Sequence, residues 1–106
     1  GEMPEKNNEE EPQIIERDGN TWLADGLVSI DTFIRYFDLE EFTILNQSKN
    51  FHTLGGFIIN KIGYIPKIKD IIQVDDLQLE VVDMDRARVD KVLITRLERD
   101  STEEII

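Results

Sequence analysis

The chain has 106 residues, which is enough for one small domain with a single core. Its net charge of −11 disfavours both nucleic-acid binding and docking on anionic lipid, because both need clustered Lys and Arg. The absence of cysteine excludes disulfides, a thiolate nucleophile and a zinc–thiolate site. No apolar run approaches the ~20 residues of a membrane helix, so we expect no membrane insertion by this chain.

The first third of the chain predicts a linker followed by a β-hairpin. Residues 1–12 carry five glutamates and two prolines, a composition typical of a linker. The next segment, QIIERDGNTWLAD, alternates around Asp18 and Gly19, which predicts strands at residues 14–17 and 21–25. Trp22 in the second strand is expected to anchor the core, since a large aromatic dominates a core of this size.

Two amphipathic helices are predicted next, separated by the segment EEFTILNQSKNF, which lacks clear periodicity and is expected to be mostly loop. Ser29 is a good N-cap for the first helix and Thr53 for the second. Gly63 fits the left-handed position that often ends a helix. The predicted apolar faces are Ile30, Phe33, Ile34 and Phe37 in the first helix, and Leu54, Phe57, Ile58 and Ile62 in the second.

The last third predicts two further hairpins. Asp75 and Asp76 form a plausible two-residue turn between IIQV and LQLEVV, and a second turn is expected around residues 84–86. In the return strand, Val89 and Val92 fall out of phase with strict alternation. This mismatch indicates either a bulge near Asp90 and Lys91 or a strand that is apolar on both faces.

The element order β-β-α-α-β-β-β predicts an α+β fold, with two helices on one face of a small, mostly antiparallel sheet. We expect the folded domain to cover residues 13–98, between the acidic linker at 1–12 and a charged tail at 99–106.

A pair of glycines stands at the start of the second helix, although each glycine in a helix costs about 1 kcal/mol relative to alanine. Two interpretations remain open: close packing against a neighbouring element, or an anion site built from free N–H groups at the helix start. If the glycines serve packing, we expect alanine to be more damaging at Gly56 than at Gly55. If they serve binding, the candidate ligand-binding residues are Thr53, Leu54, Gly55, Gly56 and Lys67.

Recognisable catalytic and metal-binding motifs are missing from the sequence. His52 is the only histidine, and with Ser48 it does not make the three-part arrangement that nucleophilic catalysis needs. The segment DMDRARVD begins like a calcium loop, but alanine and arginine stand where the next ligand and the required glycine belong. The sequence therefore predicts a protein that is not an enzyme, with no metal site and no cofactor.

Four segments together resemble a known family: TWLADG, SIDTFIRYFDL, TLGGFIINKIGYIPK and LQLEVVDMDRARVDKV. In this order and spacing they are similar to the transporter-associated domain at the C-terminus of CorC/HlyC-type proteins. The resemblance covers about residues 12–97. Two positions depart from the family pattern: Lys69 replaces a usual glycine, and Asp75 and Asp76 occupy a turn that usually carries one.

This resemblance implies a bacterial parent protein with a transmembrane domain, a pair of CBS domains and this domain on the cytosolic face of the membrane. Such proteins are linked to magnesium and cobalt efflux, and some are named hemolysins. The implied role is a non-catalytic regulatory or interaction domain that contacts the CBS and transmembrane domains of its own chain, with a homodimer as a further possibility.

The family's fold is also similar to part of the FAD-binding domain of p-cresol methylhydroxylase-type flavoenzymes. The alternative function is therefore a nucleotide- or flavin-binding module that uses the helix start at residues 53–56. The chain has no dinucleotide fingerprint, so FAD or an adenine nucleotide would follow from fold analogy alone.

Overall fold

The computed structural model describes residues 13–39 and 51–97. The strands are β1 (Ile14–Asp18), β2 (Thr21–Asp25), β3 (Ile71–Val74), β4 (Leu77–Asp85) and β5 (Arg88–Arg96), and the helices are α1 (Ile30–Tyr36) and α2 (Leu54–Ile62). The predicted α+β fold and its element order are confirmed. The linker, most of the predicted loop with Ser48, and the tail lie outside the described residues.

The five strands form one antiparallel sheet in the order β1-β2-β5-β4-β3, so β5 lies in the middle and β1 and β3 are the edges. Side chains on one face of the sheet pack into the core with the two helices. The fully buried sheet residues on this face are Ala24, Leu77, Leu79, Val81, Val89, Val92 and Ile94.

A bulge in β5 explains why its apolar residues fall out of phase. Val89 pairs with Met84 and Lys91 pairs with Asp83, so Asp90 has no partner in β4. The extra residue brings Val89 back onto the same face as Val92, and both side chains are fully buried. Of the two interpretations of this strand, the bulge is confirmed.

The turn between β4 and β5 lies slightly later than predicted. We expected it around residues 84–86, but β4 continues to Asp85 and the turn consists of Arg86 and Ala87. Asp85 pairs with Arg88 across the hairpin end, and their side chains form an ion pair of 2.8 Å. Arg86 adopts a positive φ of 61°, as the first residue of a tight hairpin turn requires.

Both predicted helix caps are confirmed. The Ser29 side chain accepts a hydrogen bond from Thr32 N (3.0 Å), and Thr53 Oγ1 accepts one from Gly56 N (3.0 Å). Gly63 ends α2 with φ 92° and donates its N–H to Ile59 O. Neither helix in the described part of the chain is long and apolar enough to span a membrane.

Trp22 packs against the core without being enclosed by it. Its ring meets Phe37 edge-on, with 5.0 Å between the ring centroids, and the Arg96 guanidinium lies 5.9 Å from its centroid. The side chain remains partly exposed. The expected contact with the core is therefore present, although the ring is only partly buried.

Candidate functional site

The start of α2 is packed against the connection between β2 and α1. Its first three N–H groups all donate to oxygens of this chain: Leu54 to Val28 O (2.8 Å), Gly55 to Gly26 O (2.8 Å) and Gly56 to Thr53 Oγ1 (3.0 Å). An anion site at a helix start relies on N–H groups that lack such partners. The geometry is therefore that of a helix end satisfied within the protein.

Close packing around Gly55 accounts for one glycine of the pair. A Cβ at this position would lie 3.1 Å from Gly26 O and 3.2 Å from the Val89 Cβ. A Cβ on Gly26 itself would overlap the Val89 carbonyl oxygen. Gly26 N also donates to Asp90 O (2.9 Å), so the β5 bulge, the β2–α1 connection and the start of α2 meet through their backbones.

Gly56 has more accommodating neighbours, which reverses the expected order of the two glycines. A Cβ at Gly56 would lie 3.2 Å from Thr53 Oγ1 and 3.3 Å from the Phe51 Cβ. These are side-chain atoms, whereas Gly55 faces backbone oxygens of two other segments. These contacts favour the opposite order from the one expected from helical spacing, because spacing alone does not show which neighbour approaches which glycine.

The structure brings four of the five predicted ligand-binding residues together, and the fifth lies elsewhere. Thr53, Leu54, Gly55 and Gly56 form the cap and first turn of α2. Lys67 lies beyond the other end of α2, in the turn that precedes β3, where its N–H donates to Asp70 Oδ2 (2.9 Å).

Sequence reasoning did not identify Gly26 and Asp90 as part of the α2 contact. The phase mismatch in β5 was the available signal for Asp90, and it located the bulge. Gly26 was visible only as the second residue of an Asp-Gly turn. Its role depends on the carbonyl of Val89, a residue 63 positions away in the chain, so no local pattern could reveal it.

The acidic residues that the sequence analysis considered as metal ligands lie in turns and ion pairs. Asp75 and Asp76 form the β3–β4 turn, and Asp76 lies 3.7 Å from the guanidinium of Arg96. Within residues 13–39 and 51–97, no group of three or more His, Asp and Glu side chains is arranged to hold a metal ion. His52 is exposed, and its carbonyl accepts from Ile30 N (2.8 Å).

Asp18 stabilises the first hairpin turn through its carboxylate. Its Oδ1 accepts hydrogen bonds from the Thr21 hydroxyl (2.7 Å) and from Asn20 N (3.3 Å). The Thr21 hydrogen bond, followed by that of Asn20, lowers the pKa of Asp18 below its ordinary value. The turn is therefore held by the ionised form and loses this support as the pH falls through the lowered pKa.

A search of protein-family models matches residues 15–98 to the CorC_HlyC transporter associated domain. The chain belongs to this family. The match confirms the resemblance inferred from the four sequence segments and agrees with the observed fold.

This transporter-associated domain is similar to part of two larger proteins. It is 47% identical over 103 residues to a UPF0053 protein of Synechocystis sp., covering 96% of this chain and 22% of that protein. It is 43% identical over 91 residues to the polyamine export protein of Salmonella typhimurium, covering 86% of this chain and 20% of that protein. The chain thus spans about a fifth of these relatives.

Among solved structures, the domain is similar to the CorC_HlyC domain of a Xylella fastidiosa Temecula1 hemolysin, described as in complex with Mg²⁺ and Mn²⁺. The TM-score is 0.69 at 30% identity, covering 80% of this chain and 98% of that one.

Proposed function

We propose that this transporter-associated domain is a non-catalytic regulatory domain of a bacterial membrane transport protein. The observation that carries this proposal is the family match over residues 15–98. The chain covers only about a fifth of its relatives, and one of these is a polyamine export protein. The domain would lie on the cytosolic face of the membrane and contact the CBS and transmembrane domains of its own chain.

The cargo class that we propose for the parent protein is an organic polycation. The relative that supports it is the polyamine export protein of S. typhimurium, which is 43% identical over 86% of this chain. Divalent metal efflux is the second candidate, because a domain 30% identical to this one has been solved in complex with Mg²⁺ and Mn²⁺. In either case the domain would modulate transport and would not itself form the route of the cargo.

Deleting residues 13–98 from the full-length parent tests this role. The deleted and intact proteins would be produced in cells that lack their own exporter, and their membrane levels would be matched by immunoblotting. We expect the rate of spermidine efflux, or its dependence on internal spermidine, to change upon deletion. Parallel assays of Mg²⁺ and Co²⁺ efflux distinguish the cargo classes, and unchanged efflux of all three would contradict a regulatory role.

The alternative of a nucleotide- or flavin-binding module has less support, because the N–H groups at the start of α2 already have partners within the chain. FAD, ATP or MgCl₂ added to the purified domain should leave its melting temperature unchanged. A ligand present at 100 times its Kd would add about 2.7 kcal/mol to the free energy of unfolding. A clear rise in melting temperature with FAD or ATP would support the alternative.

A further inference from the structure

The free edge of β3 combines unpaired backbone groups with an unusual distribution of charge. In the described part of the chain, β3 pairs with β4 alone, and its other edge has no strand beside it. Val81 N donates to Asp70 O (2.9 Å), so Asp70 is hydrogen-bonded to β4. Residues that bond to the neighbouring strand alternate along an antiparallel ladder with residues that do not. Ile71 and Gln73 are therefore residues of the second kind, and their N–H and C=O groups point away from β4.

Opposite charges lie at the two ends of this edge. Lys67 and Lys69 precede the strand, Asp75 and Asp76 follow it, and Lys69 and Asp75 are both exposed. Two such edges in parallel would bring like charges together. Two in antiparallel orientation would place each lysine end beside an aspartate end, which favours pairing by charge complementarity.

We propose that β3 pairs antiparallel with β3 of a second copy of this chain, joining two sheets across a twofold axis. In the register centred on Ile72, Ile71 faces Gln73 of the second copy, and their outward N–H and C=O groups form backbone hydrogen bonds. The same register brings the turn that carries Lys69 beside the turn that carries Asp75 of the second copy. This arrangement uses the same surface on both copies, so it closes as a dimer.

Exposed apolar side chains in the segment that leads into β3 supply further contact area. Tyr64, Ile65, Ile68 and Ile71 lie within eight residues, and each exposes more than half of its surface. The other sheet edge is interrupted within its strand: β1 carries a register irregularity between Glu16 and Asp18, whereas the bulge at Lys69 and Asp70 lies before β3 begins. Exposed lysines also protect edges from pairing, but the aspartates at the opposite end give them a partner in a twofold dimer.

Two charge reversals test the pairing. The oligomeric state would be measured by analytical ultracentrifugation of the full 106-residue chain over a range from micromolar to millimolar concentration. We expect a dimer that forms with rising concentration, and both Lys69→Glu and Asp75→Lys to weaken it by at least about tenfold, because each places like charges opposite one another. An equimolar mixture of the two variants should restore dimerisation, since both cross-strand pairs are then complementary.

Matched controls separate pairing from general effects of charge and folding. Arg17→Glu makes the same change in net charge on the β1 edge and should leave the dimer unchanged. Because Lys69 and Asp75 have positive φ values of 87° and 54°, Lys69→Gly and Asp75→Gly remove the same charges while preserving the backbone, and both should also weaken the dimer.

Amide hydrogen exchange supplies a readout at the level of single residues. With rising protein concentration, the N–H groups of Ile71 and Gln73 should gain protection, whereas those of Ile72 and Val74 should not change. A chain that stays monomeric throughout, a dimer unaffected by both charge reversals, or a mixture of variants that fails to associate would each overturn the proposal. Self-association through β3 does not depend on the proposed regulatory role.

Discussion

Lys69, just before β3, occupies a backbone conformation that normally favours glycine. Asp70 N donates to Lys67 O (3.0 Å), which closes a four-residue turn whose third residue, Lys69, has φ 87°. Lys69 N and Asp70 O both bond to Val81 (2.7 and 2.9 Å), the pattern of a bulge that usually begins with glycine. The departure from the family's glycine has therefore kept the glycine-type conformation.

Replacing this lysine should relieve backbone strain. We expect Lys69→Gly to raise the free energy of unfolding by about 1 kcal/mol, because a side chain at such a φ costs ~1–2 kcal/mol and glycine loses part of this gain through the entropy of the unfolded chain. Urea midpoints measured at low protein concentration would show the change. Lys67→Gly is the control, since Lys67 has no positive φ, and it should bring no gain. Equal stability of Lys69→Gly and the unsubstituted chain would refute the strain.

At the scale of elements, the contact of α2 with β5 depends on Gly55, the first glycine of the pair. Gly55→Ala should lower the free energy of unfolding by roughly 1–3 kcal/mol, the usual cost of overpacking, because its Cβ would press on Gly26 O and on Val89. Gly56→Ala should cost less. Both variants gain up to about 1 kcal/mol in helix propensity, but a Cβ at Gly56 meets side-chain atoms of Thr53 and Phe51 instead of backbone oxygens of other segments. Urea denaturation of both variants would measure their free energies of unfolding. A Gly55→Ala protein as stable as the unsubstituted chain would contradict this prediction and show that the backbone around Gly26 and Val89 shifts at little cost.

At the scale of the whole molecule, the negative charge lies mainly outside the described fold. Residues 13–39 and 51–97 hold 12 acidic and 9 basic side chains, a net charge of −3, so the other segments hold −8 of the total of −11. The buried apolar residues of the described part come from both helices, from β2 to β5 and from the residues that flank the helices. Residues 1–11 and 99–106 are mostly polar and charged, and their large apolar side chains are those of Met3, Ile105 and Ile106.

Removal of residues 1–11 and 99–106 should therefore have little effect on folding. We expect the free energy of unfolding to stay within about 1.5 kcal/mol of the full chain, the lower limit for one fully buried large apolar side chain. Urea titrations of the full and shortened chains at the same ionic strength would measure it. A larger loss would show that a terminal segment contributes a buried apolar contact.

The sequence by itself determined the features that arise from neighbouring residues. Ser29 and Thr53 cap the helices and Gly63 ends the second, because a cap and its partner lie within four residues. Alternation and 3.6-residue periodicity located the strands and helices, and the phase break in β5 located its bulge. The family also followed from short segments in a particular order.

Only the tertiary structure decided which distant segments touch. It placed β5 beside β2, brought Gly26 and Gly55 against Val89, and left Trp22 only partly buried. Helix caps, turns and side-chain periodicity involve residues a few positions apart, whereas these contacts join residues about 30 to 70 positions apart. They depend on how whole faces of the sheet and helices exclude water together, and no local pattern encodes that choice.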